Sequence, residues 1–347
     1  MNAEVDSVRE LFSGLYGNEA TKTRIAAAIE KGTLPHAFLV CGPDGSGKST
    51  FTLEICAALN CESKKNAAHP LPSHRCESCR RIFSGGFADI KILQRQKDKQ
   101  TIGVEQVRLF REDMFLSSST SEYKIYIIKE ADKMTVNAQN ALLKVLEEPP
   151  SGVTVFLLTD REDGILTTIK SRTQYIAMER FSHERIISYL SKKGIIGMPP
   201  GDRVSELVMC SDGRIGRALS LIGEGGAEEA RQLRALTEEI VEALKPGTPY
   251  TSLYSAIKGL PTKKDELSEA LESVITAIRD LLLIKNFKDA PLMFYYDRER
   301  AMSISEAISA KRLMRVYDIF TDALRDNQSN VNIAAMTTSI GAKIKLI

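Results

Sequence analysis

Apolar positions fall in two distinct rhythms along this chain. Up to about residue 180, short continuous apolar runs alternate with stretches of helical spacing. Ala37–Cys41, Ile90–Leu93, Lys124–Lys129 and Thr154–Thr159 are predicted strands. Thr50–Leu59, Val104–Phe115 and Thr135–Leu146 are predicted helices, the last stopped by Pro149-Pro150. Strands that are apolar throughout and separated by helices predict a parallel sheet buried on both faces. Beyond residue 180 the strand signals stop. Phe181–Lys193, Val204–Cys210 and Ile215–Ile222 predict three short helices. After Gly223–Gly226, long amphipathic runs follow at Ala227–Leu244, Lys264–Lys285, Ser303–Arg325 and Val331–Lys345. The expected layout is α/β over residues 1–178, a small helical domain over 179–225 and an all-α domain over 226–347. No internal repeat, low-complexity tract or heptad run interrupts it.

One loop changes this picture from architecture to chemistry. Residues 42–49 read Gly-Pro-Asp-Gly-Ser-Gly-Lys-Ser, a full match to the phosphate-binding P-loop, set between a predicted strand and a predicted helix. Gly42, Gly45 and Gly47 let the backbone turn tightly and aim N–H groups at phosphate oxygens. Lys48 is placed to reach the β- and γ-phosphates, and the Ser49 hydroxyl to bind Mg²⁺. The helix N-terminus adds attraction for the anion. The plain alternative, a glycine-rich turn that binds nothing, does not account for the strand and helix on either side. ATP or ADP with Mg²⁺ is the expected ligand.

Composition narrows the class. A chain of 347 residues suits two or three domains. The net charge of +2 gives no global argument for nucleic-acid binding, which usually leaves a basic excess. Met1 to Arg9 is polar and acidic, unlike a secretion leader, and no apolar run approaches the ~20 residues of a membrane span. A cytoplasmic protein is expected, with no membrane partner. In that compartment the six cysteines point to metal or core roles rather than disulfides. Cys41, Cys56 and Cys210 fall in strand and helix patterns and are expected in the core. Cys61, Cys76 and Cys79 are different: Cys76-Glu-Ser-Cys79 is a C-x₂-C knuckle, in a stretch without apolar periodicity.

Several motifs occur in a telling order. The P-loop, preceded by Leu34-Pro-His-Ala-Phe-Leu39, is followed by Ile102-Gly-Val-Glu-Gln-Val-Arg108. Then come Asn140-Ala-Leu-Leu-Lys-Val-Leu-Glu-Glu-Pro-Pro150, Leu157-Leu-Thr159 and Ile169-Lys-Ser-Arg172. This series, over residues 15–220, resembles the bacterial DNA polymerase III clamp-loader ATPase family, and its delta-prime branch more than its gamma/tau branch. Over 226–347 the likeness rests only on helical pattern and position. The resemblance implies an AAA+ fold with a helical lid and a C-terminal helical collar through which subunits (delta, gamma/tau) join in a ring. It implies that the ring opens the sliding clamp and places it on primer–template DNA, driven by ATP. It assigns Lys48, Ser49 and Thr50 to nucleotide, Thr159 to sensing the γ-phosphate, and Arg172 to a neighbour's ATP. An arginine supplied in trans stabilises charge on the transferring phosphoryl group.

The chain departs from the family pattern at two positions. The Mg²⁺-binding strand of these ATPases ends in Asp-Glu; here it ends in Lys129-Glu130. A cation in the aspartate's place repels Mg²⁺ by roughly tenths to a few kcal/mol, depending on dielectric. Glu130 is left as the candidate to orient water. Within Gly213-Arg-Ile-Gly-Arg-Ala218, motor subunits carry arginine where Gly216 falls; Arg217 is one place later, about 100° around a helix. Both departures imply a weak or absent ATPase. The alternatives are an active gamma/tau-type motor and, from another class, a small-molecule kinase, for which the helical half offers no catalytic motif.

The family also carries a four-cysteine zinc module after the P-loop helix, expected here at about 60–82. The position three before Cys76 is Ser73, a poor zinc ligand. The expected set is therefore Cys61, Cys76, Cys79 and His74, with His69 as runner-up; zinc accepts Cys₃His in closed tetrahedral sites.

Overall fold

The computed structural model describes residues 12–62, 72–96, 99–116, 121–198, 200–223, 227–327 and 331–347. The chain divides into two compact units that meet in sequence at Glu179 and Arg180.

The first unit is a parallel α/β sheet. Its strands are β1 (Ala37–Cys41), β2 (Ile90–Leu93), β3 (Lys124–Ile128), β4 (Val153–Thr159) and β5 (Gln174–Ala177). They lie side by side in the order β2-β3-β4-β1-β5, all parallel. Alternate residues serve opposite faces, as the two-residue period of a strand requires. Phe38 and Val40 of β1, with Phe156 and Leu158 of β4, pack on one side with Phe51 and Ile55. Ala37 and Leu39, with Val155 and Leu157, pack on the other with Val107, Leu142 and Val145. Both faces are covered, so β1 and residues 155–158 of β4 form continuous apolar runs.

The helices of this unit are α1 (Glu19–Glu30), α2 (Lys48–Asn60), α3 (Glu77–Phe83), α4 (Val104–Met114), α5 (Val136–Glu147) and the short α6 (Thr167–Lys170). Thr135 caps α5, its side chain accepting from the Ala138 N–H at 3.2 Å. The unit is a parallel sheet with helices on both faces, and a helical half follows it in the chain.

The second unit is all helix among its described residues: α7 (His183–Lys192), α8 (Asp202–Met209), α9 (Ile215–Gly223), α10 (Ala227–Glu242), α11 (Tyr250–Lys258), α12 (Lys264–Asn286), α13 (Arg298–Ala307), α14 (Ala310–Asp326) and α15 (Ile333–Lys345). Its organising element is α12, which buries Leu267, Ala270, Leu271, Val274, Ala277, Ile278 and Leu281 at helical spacing. The predicted single helix Ser303–Arg325 is two. Ile308 is extended, with φ −112° and ψ 132°, and Ser309 starts a new helix by accepting the Arg312 N–H at 3.2 Å. No helix among the described residues is long and apolar enough to cross a membrane.

Candidate nucleotide and metal sites

The P-loop sits at the C-terminal end of β1, where open parallel sheets place their ligands. It runs from Gly42 into the first turn of α2. Gly45 and Gly47 hold φ of 74° and 94°, conformations that L side chains rarely adopt. Gly42 is closely packed: an added Cβ meets Ser46 Oγ at 2.7 Å and Met178 Cβ at 2.8 Å. The Gly42 N–H donates to the Thr159 carbonyl at 3.1 Å, tying the loop to the end of β4. Ser46 Oγ is buried with no hydrogen-bond partner among the described residues. An orphaned hydroxyl inside a cradle of backbone N–H groups suits phosphate oxygens. Ser49 and Thr50 are exposed on the first turn of α2.

Lys48 is held by three oxygens. Its ammonium donates to the Gly42 carbonyl at 2.6 Å, the Pro43 carbonyl at 3.0 Å and Asp160 Oδ1 at 2.7 Å. Thr159, fully buried at the end of β4, has two acceptors within reach of its one hydroxyl hydrogen, the Arg161 carbonyl at 2.6 Å and Asp132 Oδ1 at 3.0 Å. Thus Thr159 lies beside the loop, with its hydroxyl engaged by its own segment and by Asp132. Glu130 has φ 51° and pairs with Arg95 at 3.2 Å. Asp132 and Asp160 are the polar groups of this site that sequence reasoning left without a role. Their signal is slight: Asp160 follows Thr159 directly, and Asp132 lies two residues past Glu130.

Arg172 lies elsewhere in the unit. It lines a cleft of about 720 Å³ with Pro35, His36, Ala37, Glu147 and Gln174. His36 and Ala37 enter β1 and Gln174 begins β5, so this cleft is at the strands' N-terminal ends. Five residues of β1, at 3.2–3.4 Å each, put about 15 Å between it and the P-loop. The guanidinium pairs with Glu147 Oε1 at 2.8 Å and donates to the Thr168 carbonyl at 3.0 Å.

The third constellation is the cysteine cluster. Sγ atoms of Cys61, Cys76 and Cys79 all lie within 4.8 Å of one another. Cys61 ends the α2 segment; Cys76 caps α3, accepting the Cys79 N–H at 3.4 Å. Burial alone raises the Cys76 thiol, but N–H donors from Cys79 and Glu62 outweigh it and bring it down to about 7. Burial and the neighbouring Cys76 push Cys79 up to about 12. Three thiols converging without a disulfide are a donor set that suits zinc. His74 is not brought into this cluster. Its Nε2 lies 3.4 Å from Glu54 Oε2 and 3.2 Å from Ser13 Oγ, and its ring stacks on Phe83. The φ of 54° at His74 accompanies this turn away from the thiols. His69 lies outside the described residues. Cys56 and Cys210 are buried in apolar clusters, while Cys41 is half-buried at the end of β1.

Known proteins similar to this chain are DNA polymerase III subunits. The family described as "DNA polymerase III, delta subunit" matches residues 17–182. A delta-prime subunit of DNA polymerase III from Bacillus subtilis is 26% identical over 315 residues, covering 89% of this chain and 90% of that protein. The tau subunit of the same organism is 29% identical over 330 residues, covering 89% of this chain. Over most of its length the chain is similar to subunits of DNA polymerase III. It spans 56% of that tau subunit, and half of the gamma/tau subunit of Mycobacterium tuberculosis, to which it is 25% identical. A solved gamma-subunit-related protein of Thermotoga maritima aligns over 93% of this chain and 98% of its own, with 16% identity and a TM-score of 0.41.

Both departures from the clamp-loader pattern take definite places. Lys129 is half-buried at the end of β3, its N–H donating to the Leu93 carbonyl at 2.9 Å. Gly216 opens α9 beside Arg217, whose guanidinium is paired with Glu269. Burial and the nearby Arg214 lower the Arg217 pKa.

Proposed function

We propose that this chain is a clamp-loader subunit with a delta-prime-like part. It binds ATP or ADP with Mg²⁺ at Gly42, Gly45, Gly47, Lys48, Ser49 and Thr50 but turns it over weakly or not at all. It lends Arg172 to a neighbouring subunit's nucleotide, and so helps open the sliding clamp and load it on primed DNA in the cytoplasm. The observation that carries this reading is the separation of Arg172 from the home P-loop by the length of β1. An arginine there serves a ligand brought by another chain.

The chemistry is consistent with a binding role. Bound nucleotide supplies the phosphates and a metal ion; the P-loop N–H groups and Lys48 offset their charge. Lys48 must exchange Asp160 for phosphate. Lys129 stands where an acid holds the metal in active relatives, and Glu130 is turned toward Arg95. Thr159, engaged by Arg161 and Asp132, reports on the nucleotide through the shared end of β4 in this reading. Residues 179–225 act as the lid in this reading and 226–347 as the collar that joins delta and gamma/tau partners. Cys61, Cys76 and Cys79 hold a zinc ion that ties the end of α2 to the start of α3.

The tau relative's 29% identity and the full P-loop favour a second reading, an active gamma/tau-type motor. ATP turnover by the purified chain, alone and assembled with its partners, separates the two. Turnover near 10 s⁻¹ by the lone chain, typical of enzymes, overturns the delta-prime-like reading.

A further inference from the structure

The cysteine cluster has a fourth corner, and an oxygen occupies it. Ser73 Oγ lies 3.5 Å from Cys61 Sγ and 4.0 Å from Cys79 Sγ. Cys61 Sγ and Cys76 Sγ are 3.8 Å apart. A tetrahedral zinc with bonds of about 2.3 Å to sulfur and 2.0–2.2 Å to oxygen has fixed edges. They are roughly 3.8 Å between sulfurs and 3.5–3.7 Å between sulfur and oxygen. Two of the three measured separations fall on these values, and the third exceeds them by a few tenths of an ångström. We infer that Ser73 Oγ is the fourth donor of a Cys₃Ser zinc site in this chain. The inference rests on the zinc reading above and goes beyond it in naming the ligand.

Two further observations point the same way. The Ser73 oxygen is fixed by the backbone, accepting the Arg75 N–H at 3.4 Å and the Cys76 N–H at 3.3 Å. These contacts hold the oxygen in place beside the thiols, as the outer partners of a metal ligand do. The competing donor is withdrawn: the His74 imidazole faces Glu54, whose side chain is 1% exposed, and no histidine nitrogen joins the cluster among the described residues.

An oxygen in place of a fourth sulfur changes what the site does. Three thiolates and a hydroxyl leave one net negative charge on the centre, where four thiolates leave two. Soft thiolate is the stronger zinc donor. The site therefore holds zinc less tightly than four cysteines do, and its oxygen corner is where exchange with water or an incoming thiol begins.

Cobalt(II) titration of the full-length protein tests this, read by its visible d–d bands and by thiolate-to-metal charge transfer. The wild type is expected to bind one cobalt in a tetrahedral three-sulfur field. Ser73→Cys should add charge-transfer intensity and shift the bands toward a four-sulfur field. It should also tighten zinc against a chelator by about tenfold or more. Ser73→Ala should shift the bands and weaken zinc, while His74→Ala and His69→Ala leave the spectrum unchanged. Bands that move in either histidine variant but not in Ser73→Ala overturn the serine ligand and leave the zinc reading standing. A wild type that takes up neither cobalt nor zinc overturns both.

Discussion

The ammonium of Lys48 and the carboxylate of Asp160 form an ion pair 2.7 Å long across the P-loop. Asp160 is half-exposed and Lys48 nearly enclosed, so the pair contributes little to stability but places an anion where phosphate must go. Asp160→Asn should tighten ADP binding by roughly 1.5- to 5-fold, the equivalent of a partly exposed ion pair of about 0.2–1 kcal/mol. Lys48→Ala should abolish it. A fluorescent nucleotide titration measures both, and an unchanged dissociation constant in Asp160→Asn shows that the carboxylate does not compete.

Arg172→Ala should leave this chain's own nucleotide affinity unchanged, because the guanidinium lies at the far end of β1. The assembled clamp loader should lose ATPase at the one site that Arg172 serves. A finger supplied in trans is worth on the order of 10³–10⁵ at its site; the ring's total rate falls by only that site's share. Steady-state ATPase of the reconstituted complex checks this. Full activity with the variant assigns Arg172 to its pair with Glu147 alone.

Truncation should succeed at one boundary and fail at another. Residues 1–179 should fold and bind nucleotide, with their cores on both sheet faces complete. A chain ending at residue 225 should be less stable and prone to aggregate. It keeps Leu207, Cys210 and Leu221 but loses Ala230, which packs with them. Exposing buried leucines costs about 1.5–3 kcal/mol each. Thermal melts and size-exclusion profiles of the two fragments give the answer. A monomeric 1–225 fragment as stable as 1–179 contradicts this boundary.

Two buried groups in the helical unit should oppose each other in acid. Asp280 is fully buried, and burial pushes its carboxyl up to about 6 although it accepts the N–H groups of Met293, Phe294 and Tyr295. Its folded pKa is raised, so its stability contribution is full below the ordinary value of 3.8 and lost as pH rises through 6. Burial pushes His183 down to about 4, from 6.5. Its folded pKa is depressed, so its contribution is full above 6.5 and lost as pH falls toward 4. Each effect is on the order of 3 kcal/mol, over nearly the same range. Relative to wild type, Asp280→Asn should therefore lose stability on acidification from pH 7 to 4.5, and His183→Gln should gain it. Urea melts across that range test the signs; parallel curves for all three proteins refute the pairing.

How far the sequence could be read depended on whether a feature was local. β1 and β4 were legible because both faces are buried, leaving continuous apolar runs over residues 37–41 and 155–158. The P-loop was legible because its glycines and lysine are adjacent. β5 was not, because Ile176 is its only buried residue and Tyr175 is exposed. The helix Tyr250–Lys258 was missed too, since only Leu253, Ala256 and Ile257 mark its buried stripe. In the sites, the limits were tertiary. Asp160 meets Lys48 from 112 residues away. The choice between Ser73 and His74 turns on one backbone angle and a carboxylate from α2, neither of which a spacing rule contains.

Asn18 and Glu179 carry a consequence for engineering. The Asn18 N–H donates to Glu179 Oε2 at 2.7 Å, and the Glu179 N–H donates to Asn18 Oδ1 at 3.0 Å, a reciprocal clasp across 161 residues. It brings the start and finish of the first unit's described chain together in space. A domain whose ends already touch can be reopened elsewhere without stretching its backbone. A linker from Glu179 back to Phe12, which keeps Phe12 and Leu15 in the core, with new termini cut into an exposed loop such as Ser84–Gly86, should yield a circularly permuted nucleotide domain. Such a permutant would present its ends on a different side, ready to carry a probe or a fused partner.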